Sequence, residues 1–145
     1  MVGAMIAIHL VVTDADSAAR WYSDALGAVE TSRLTLPDGT LLTVELRLAD
    51  TVLAVAGEMP GRSMRAPVSL DATSAAFHLD VPDADASFQR AVDAGATVYE
   101  PLWDAFWGDR TGQILDPFGH RWAFDQHVRD VPTDEIASAA AALFT

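Results

Sequence analysis

Cysteine and lysine are both missing from this chain of 145 residues. All nine basic residues are arginine. Without cysteine there can be no disulfide, no thiolate metal site and no thiol nucleophile. Without lysine there is no side-chain amine for Schiff-base chemistry and no phosphate loop of the GxxxxGK kind. A GxSxG nucleophile elbow is also missing. No apolar run reaches the roughly 18 residues of a membrane span. The N-terminal stretch "MVGAMIAIHLVV" has no basic lead-in and soon turns acidic, which argues against a secretory signal. A cytoplasmic protein with no membrane partner is expected. Positive charge is scarce as well: 9 basic residues stand against 21 acidic ones, a formal charge of −12. That balance repels nucleic acid and anionic membranes and favours cationic or neutral ligands, besides aiding solubility.

What is present begins with ordinary globular composition: half of the residues are hydrophobic, enough for one domain with a real core over residues 1–145. The most informative feature is a repetition. "HLVVTDAD" starts at His9, and "HLDVPDAD" starts 69 residues later at His78; the two agree at six of eight positions. Each phrase opens a longer unit. Ile6, Ile8, Leu10 and Val12 alternate with Ala7, His9 and Val11, the period of a half-buried strand. "DADSAARWYSDALG" reads as a helix capped by Asp14 or Asp16 and ended by Gly27. "VETSRLTL", "TLLTVELRL" and "TVLAVA" read as three strands, with turns at residues 37–39 and 49–50. Gly57, Pro60, Gly61 and Pro67 mark residues 57–73 as a connector.

The order then restarts. "SAAFHLDV" is a strand, "DADASFQRAVDAGA" a helix and "TVYE" a strand. "PLWDAFWG" is an aromatic loop, followed by strands "RTGQIL" and "HRWAFDQ" around the turn "DPFG". A helix over about 132–144, with Thr133 as a possible N-cap, closes the chain. Module one covers about 5–56 and module two about 74–128. The period is too long for a solenoid repeat, so two βαβββ modules, an α+β arrangement of curved mixed sheets, are expected.

In each module the large apolar residues fall on one strand face, which a helix can cover. The other face carries Ala7, His9, Ala54, Ala56, Ala76, His78, Asp80, Ala123 and Asp125. So much alanine is unusual on a face that packs a dry core. A small, intermittently polar face suits a sheet that curves around a cavity, and both histidines should point to it. Trp122 and Phe124 alternate away from that face and read as core. His120 and His127 read as turn or surface residues.

The duplicated module, the helix "RWYSDALGA" and the final hairpin "WGDRTGQILDPFGHRWAF" resemble the vicinal oxygen chelate superfamily of glyoxalases, bleomycin-resistance proteins and extradiol dioxygenases. The nearest branch in this resemblance is its PhnB-like members. The likeness covers residues 5 to about 128. It implies the glyoxalase/bleomycin-resistance fold and, in the metal-dependent members, four inward His or Glu ligands. Carried over by motif, those positions fall at Ala7, Ala54, Ala76 and Ala123. Alanine offers no lone pair, so the resemblance implies a chain without the usual metal site and without a cofactor. A displaced site from His9, His78 and Asp125 stays open as an alternative.

Trp103, Phe106 and Trp107 form an aromatic cluster beside Asp104 and Asp109. Tryptophan faces stack on planar ligands and attract cations; packing against a core edge is the plainer reading. Glu45 alternates with Val44 and Leu46, and with Asp80 and Asp125 it would make a cavity acidic. The expected ligand-binding set is therefore His9, Glu45, His78, Asp80, Trp103, Trp107 and Asp125. The first expectation is a homodimer that binds a small aromatic or cationic, antibiotic-like molecule. The alternative is a lyase, isomerase or dioxygenase of the same fold, using displaced metal ligands or a carboxylate base such as Glu45.

Overall fold

The computed structural model describes residues 3–59 and 61–145; Pro60 of the connector and the first two residues of the N-terminal stretch lie outside them. The chain forms two compact units. The first takes the described residues up to Ser74 together with Pro117–His120. The second takes Ala75–Asp116 and Arg121–Thr145.

In the first unit, β1 (Ala7–Val12) leads into α1 (Ala15–Leu26), then β2 (Val29–Thr35), β3 (Leu41–Leu48) and β4 (Thr51–Gly57). The sheet order is β1-β4-β3-β2, with β1 parallel to β4 and the other pairs antiparallel. Leu10 and Val12 are buried, as the alternation requires, while His9 is exposed. The apolar pattern ahead of the strand does not carry over, because Met5 and Ile6 are exposed. The Asp14 carboxylate caps α1 by accepting the Ser17 backbone N–H at 2.8 Å. Gly27 ends the helix in the left-handed conformation, φ 78°, and Gly27 and Ala28 return their N–H groups to Ser23 and Tyr22. Ala18, Tyr22 and Ala25 of α1 pack on β3 and β4, whose Val44, Leu46, Leu53 and Val55 are fully buried.

The second unit repeats the plan. β5 (Ala76–Asp80), α3 (Ala84–Asp93), β6 (Thr97–Asp104), β7 (Asp109–Leu115) and β8 (Arg121–His127) give the order β5-β8-β7-β6. Asp83 caps α3 as Asp14 caps α1, accepting the Ala86 N–H at 3.1 Å. Phe88 of α3 meets Phe124 edge-to-face with ring centroids 6.5 Å apart, and Trp122 and Phe124 are buried as expected.

Four sequence expectations need correction. The connector is not featureless, since it holds a short helix, α2 (Pro67–Leu70). β6 does not stop at Glu100 but runs to Asp104, so Trp103 is a strand residue rather than a loop residue. Pro101 is tolerated because β6 is the sheet edge, and the register shifts between Glu100 and Trp103. Thr133 is not the cap of the last helix, α4 (Thr133–Leu143). Pro132 takes the cap position and Thr133 is the first helical residue. His120 is not a surface residue; it is buried, with Nε2 2.8 Å from the Val11 carbonyl oxygen.

Candidate ligand site

Strand register sets which side chains share a row across each sheet. In the first unit His9, Ala54 and Glu45 stand opposite one another on β1, β4 and β3, with Ser32 next on β2. In the second unit the equivalent row is His78, Ala123, Gln113 and Glu100. The two histidines thus hold equivalent places, each two strands away from a Glu or Gln.

The next row separates the units. In the first it reads Val11, Ala56, Thr43 and Leu34. In the second it reads Asp80, Asp125, Thr111 and Trp103. Four of the expected ligand-facing residues (His78, Asp80, Trp103 and Asp125) therefore share one sheet face of the second unit. His9 and Glu45 share a row of the first unit.

Polar chemistry is concentrated on that second face. The Thr111 hydroxyl donates to Asp125 Oδ1 at 2.6 Å, and Asp125 Oδ2 lies 2.7 Å from His78 Nδ1. The Asp125 side chain is only 13% exposed, while that of His78 is 55% exposed. A shielded carboxylate thus holds an accessible imidazole. His9 has no such partner: the position equivalent to Asp125 is Ala56, and the His9 imidazole makes no hydrogen bond among the described residues. Thr111, Gln113 and Glu100 were missed as face residues by sequence reasoning. Alternation along "DRTGQIL" carried the signal for the first two.

At the end of the same sheet Trp103, Phe106 and Trp107 form a corner of three rings. Trp103 and Trp107 meet at 88° with centroids 5.4 Å apart, and Phe106 and Trp107 at 90° and 5.0 Å. The indole of Trp103 donates to Glu100, and that of Trp107 donates to Asp109 at 3.2 Å. Both indoles keep about a third of their surface exposed (36% and 37%). A cleft of about 400 Å³ opens here, lined by Trp103, Phe106, Asp109 and Val128 among others. Gly108 makes the corner possible. Its φ is 104°, and a β-carbon there would lie 2.1 Å from the Arg129 carbonyl oxygen. Its own carbonyl accepts the N–H groups of Val128 and Arg129.

Charged neighbours are ordered by pairing. Arg110 reaches Asp85 at 2.8 and 2.9 Å and Asp104 at 3.1 Å. The pairing pulls the Asp85 carboxyl below its usual range and keeps the guanidinium above its own. His127 bonds Asp130 at 2.8 Å and approaches Asp109 at 3.4 Å. The Asp130 contact, then the Asp109 contact, raise the imidazole above its ordinary value.

These donors do not fit the metal that the resemblance implies. Ala54 and Ala123 are buried in mid-row and offer no ligand atom. Both carboxylate oxygens of Asp125 are engaged by protein donors. Among the described residues no three His, Asp or Glu side chains gather to hold a metal ion, whereas a catalytic zinc uses about three protein ligands.

An uncharacterized protein of Mycobacterium bovis is 47% identical over 135 residues, covering 90% of this chain and 88% of its own. The crystal structure of TioX from Micromonospora sp. ML1 superposes with a TM-score of 0.67 at 26% identity, covering 87% of this chain and all of that one. The X-ray structure of an Arabidopsis thaliana gene product gives 0.69 at 29% identity, covering 86% and 99%. The family model for the Glyoxalase/Bleomycin resistance protein/Dioxygenase superfamily matches residues 4–124, and with its two βαβββ units the chain belongs to that superfamily.

Proposed function

We propose that the protein binds a small, flat, cationic aromatic molecule of antibiotic type, without a resident metal or cofactor, on the His78-bearing sheet face of the second unit. The observation that carries this reading is one row of side chains: Asp80, Asp125 and Thr111 lead directly to Trp103, with His78 in the adjacent row. An indole supplies a stacking surface worth about 0.5–2 kcal/mol to a cation. Asp80 and Asp125 supply negative charge at the other end of the same row, and Trp107 walls the aromatic corner. His9 and Glu45 form the corresponding ligand-facing pair of the first unit. Within the superfamily we place the chain in the PhnB-like branch, on "WGDR" and "DPFGH", and we propose a cytoplasmic homodimer that sequesters its ligand.

A second reading has one specific observation behind it. The His78–Asp125 pair is also the arrangement of a general base with its orienting carboxylate, as an isomerase or lyase would use.

The test is a fluorescence titration with benzamidine and benzamide, which share a shape and differ in charge. Two of the four tryptophans belong to the aromatic corner, so binding reports directly. Benzamidine is expected to bind at least tenfold more tightly, with the advantage weakened in Trp103→Ala and Trp107→Ala. Equal affinity for the two would overturn the cationic-ligand reading and favour a neutral substrate.

A further inference from the structure

We propose that His78 selects among cations: the face accepts those that bring an N–H donor, because Asp125 fixes the imidazole with its outer nitrogen bare. The inference rests on the cation-binding reading above and makes its ligand class narrower.

The hydrogen-bond chain sets the direction of each proton. As a carboxylate, Asp125 offers acceptors only. One oxygen takes the Thr111 hydroxyl proton at 2.6 Å, and the other faces His78 Nδ1 at 2.7 Å. Nδ1 must then be the N–H of the pair. A neutral imidazole has one N–H, so Nε2 is left with its lone pair. Nε2 has no hydrogen-bond partner among the described residues, and the side chain is accessible. His78 therefore presents an oriented acceptor two residues from Asp80 on the same strand face, and in the row adjoining Trp103.

This has a chemical consequence that the aromatic corner alone lacks. Stacking and charge treat all flat cations alike, whether or not they carry an N–H. An acceptor at Nε2 distinguishes them. An amidinium or protonated amine can donate to it, while a quaternary ammonium cannot and would leave the lone pair desolvated and unpaired. Asp125 acts here as a positioning residue. It need not touch the ligand; it sets which nitrogen does.

The first unit supplies an internal reference. His9 occupies the equivalent row position, but Ala56 stands where the second unit has Asp125. His9 should exchange between both tautomers, and Asp125→Ala should convert His78 to the same behaviour.

Two measurements on the full chain decide the matter. In long-range ¹H–¹⁵N spectra at pH 8, His78 should show a protonated Nδ1 and a bare Nε2, and His9 an averaged pattern. Asp125→Ala, or Asp125→Asn if the first variant folds poorly, should move His78 toward the His9 pattern. In fluorescence titrations, benzamidine should bind at least tenfold more tightly than phenyltrimethylammonium, and His78→Ala should reduce that ratio to less than threefold. A protonated Nε2 in the wild-type spectrum overturns the proposal. So does equal affinity for the two cations, which would leave the aromatic-cation reading standing. Failure of both cations to bind overturns that reading and this one together.

Discussion

His127 shows how a single side chain is tuned by its neighbours. Its Nε2 bonds Asp130 and its Nδ1 lies near Asp109, which itself accepts the Trp107 indole N–H. The folded state therefore holds the proton more firmly than the unfolded chain, whose imidazole titrates near 6.5. A raised folded value means that the stabilising contribution is complete below about 6.5 and is lost as pH rises through the higher folded value. An NMR titration should place the His127 midpoint above that of an ordinary histidine, and Asp130→Asn should lower it. An unchanged midpoint in the variant would mean that the surface pair is solvated away. The sequence marked His127 correctly as a surface position, because little but its place near a strand end was needed. It placed His120 rightly beside a turn but missed its burial, where one partner is the Val11 carbonyl, 109 residues away. No local pattern announces such a contact. The Asp125–Thr111 bond was hidden for the same reason. Alternation puts each on a face, but only the β7–β8 register brings them opposite one another.

Capping and turn geometry decide where the elements begin and how they meet. Asp14 and Asp83 make the same bond at the start of equivalent helices. Replacing either by alanine should cost about 1 kcal/mol, measured by urea denaturation. The Asp14 carboxyl is held below its ordinary value chiefly by the Ser17 N–H bond. Its contribution is thus present above the unfolded carboxyl value and fades as pH falls through the lower folded one, so the cost of Asp14→Ala should shrink in strong acid. Gly108→Ala should be worse placed than either cap variant. Left-handed backbone strain is on the order of 1–3 kcal/mol, and the new methyl group meets the Arg129 carbonyl. Near-UV circular dichroism should show the aromatic corner rearranged; an unaltered spectrum would separate Gly108 from the setting of those rings. Strands and helices were legible here wherever a clean period met a cap or a glycine. The extent of β6 was not legible, because Pro101 and the clustered aromatics read as loop, while an edge strand accommodates both.

For the molecule as a whole, the C-terminal helix is a weakly committed part. None of the residues of α4 is buried, and Leu143 at its end and Phe144 just after it are exposed. A chain ending at Val131 should keep its melting temperature within about 4 °C, the shift that accompanies roughly 1 kcal/mol in a domain of this size. A larger loss would mean that α4 covers apolar surface in solution. Sedimentation should give the proposed dimer at twice 15.5 kDa. The duplication itself was the plainest message of the sequence, and its two histidines do stand at equivalent places. What the repeat could not reveal is how unequal the copies have become, since that depends on which residues the register sets opposite each histidine. The rows show two units of one register with unlike side chains. The first unit has Val11, Ala56 and Leu34 where the second has Asp80, Asp125 and Trp103. The first unit thus serves as a built-in template for the second: it shows the same backbone register carrying a mostly apolar row in place of an acidic one.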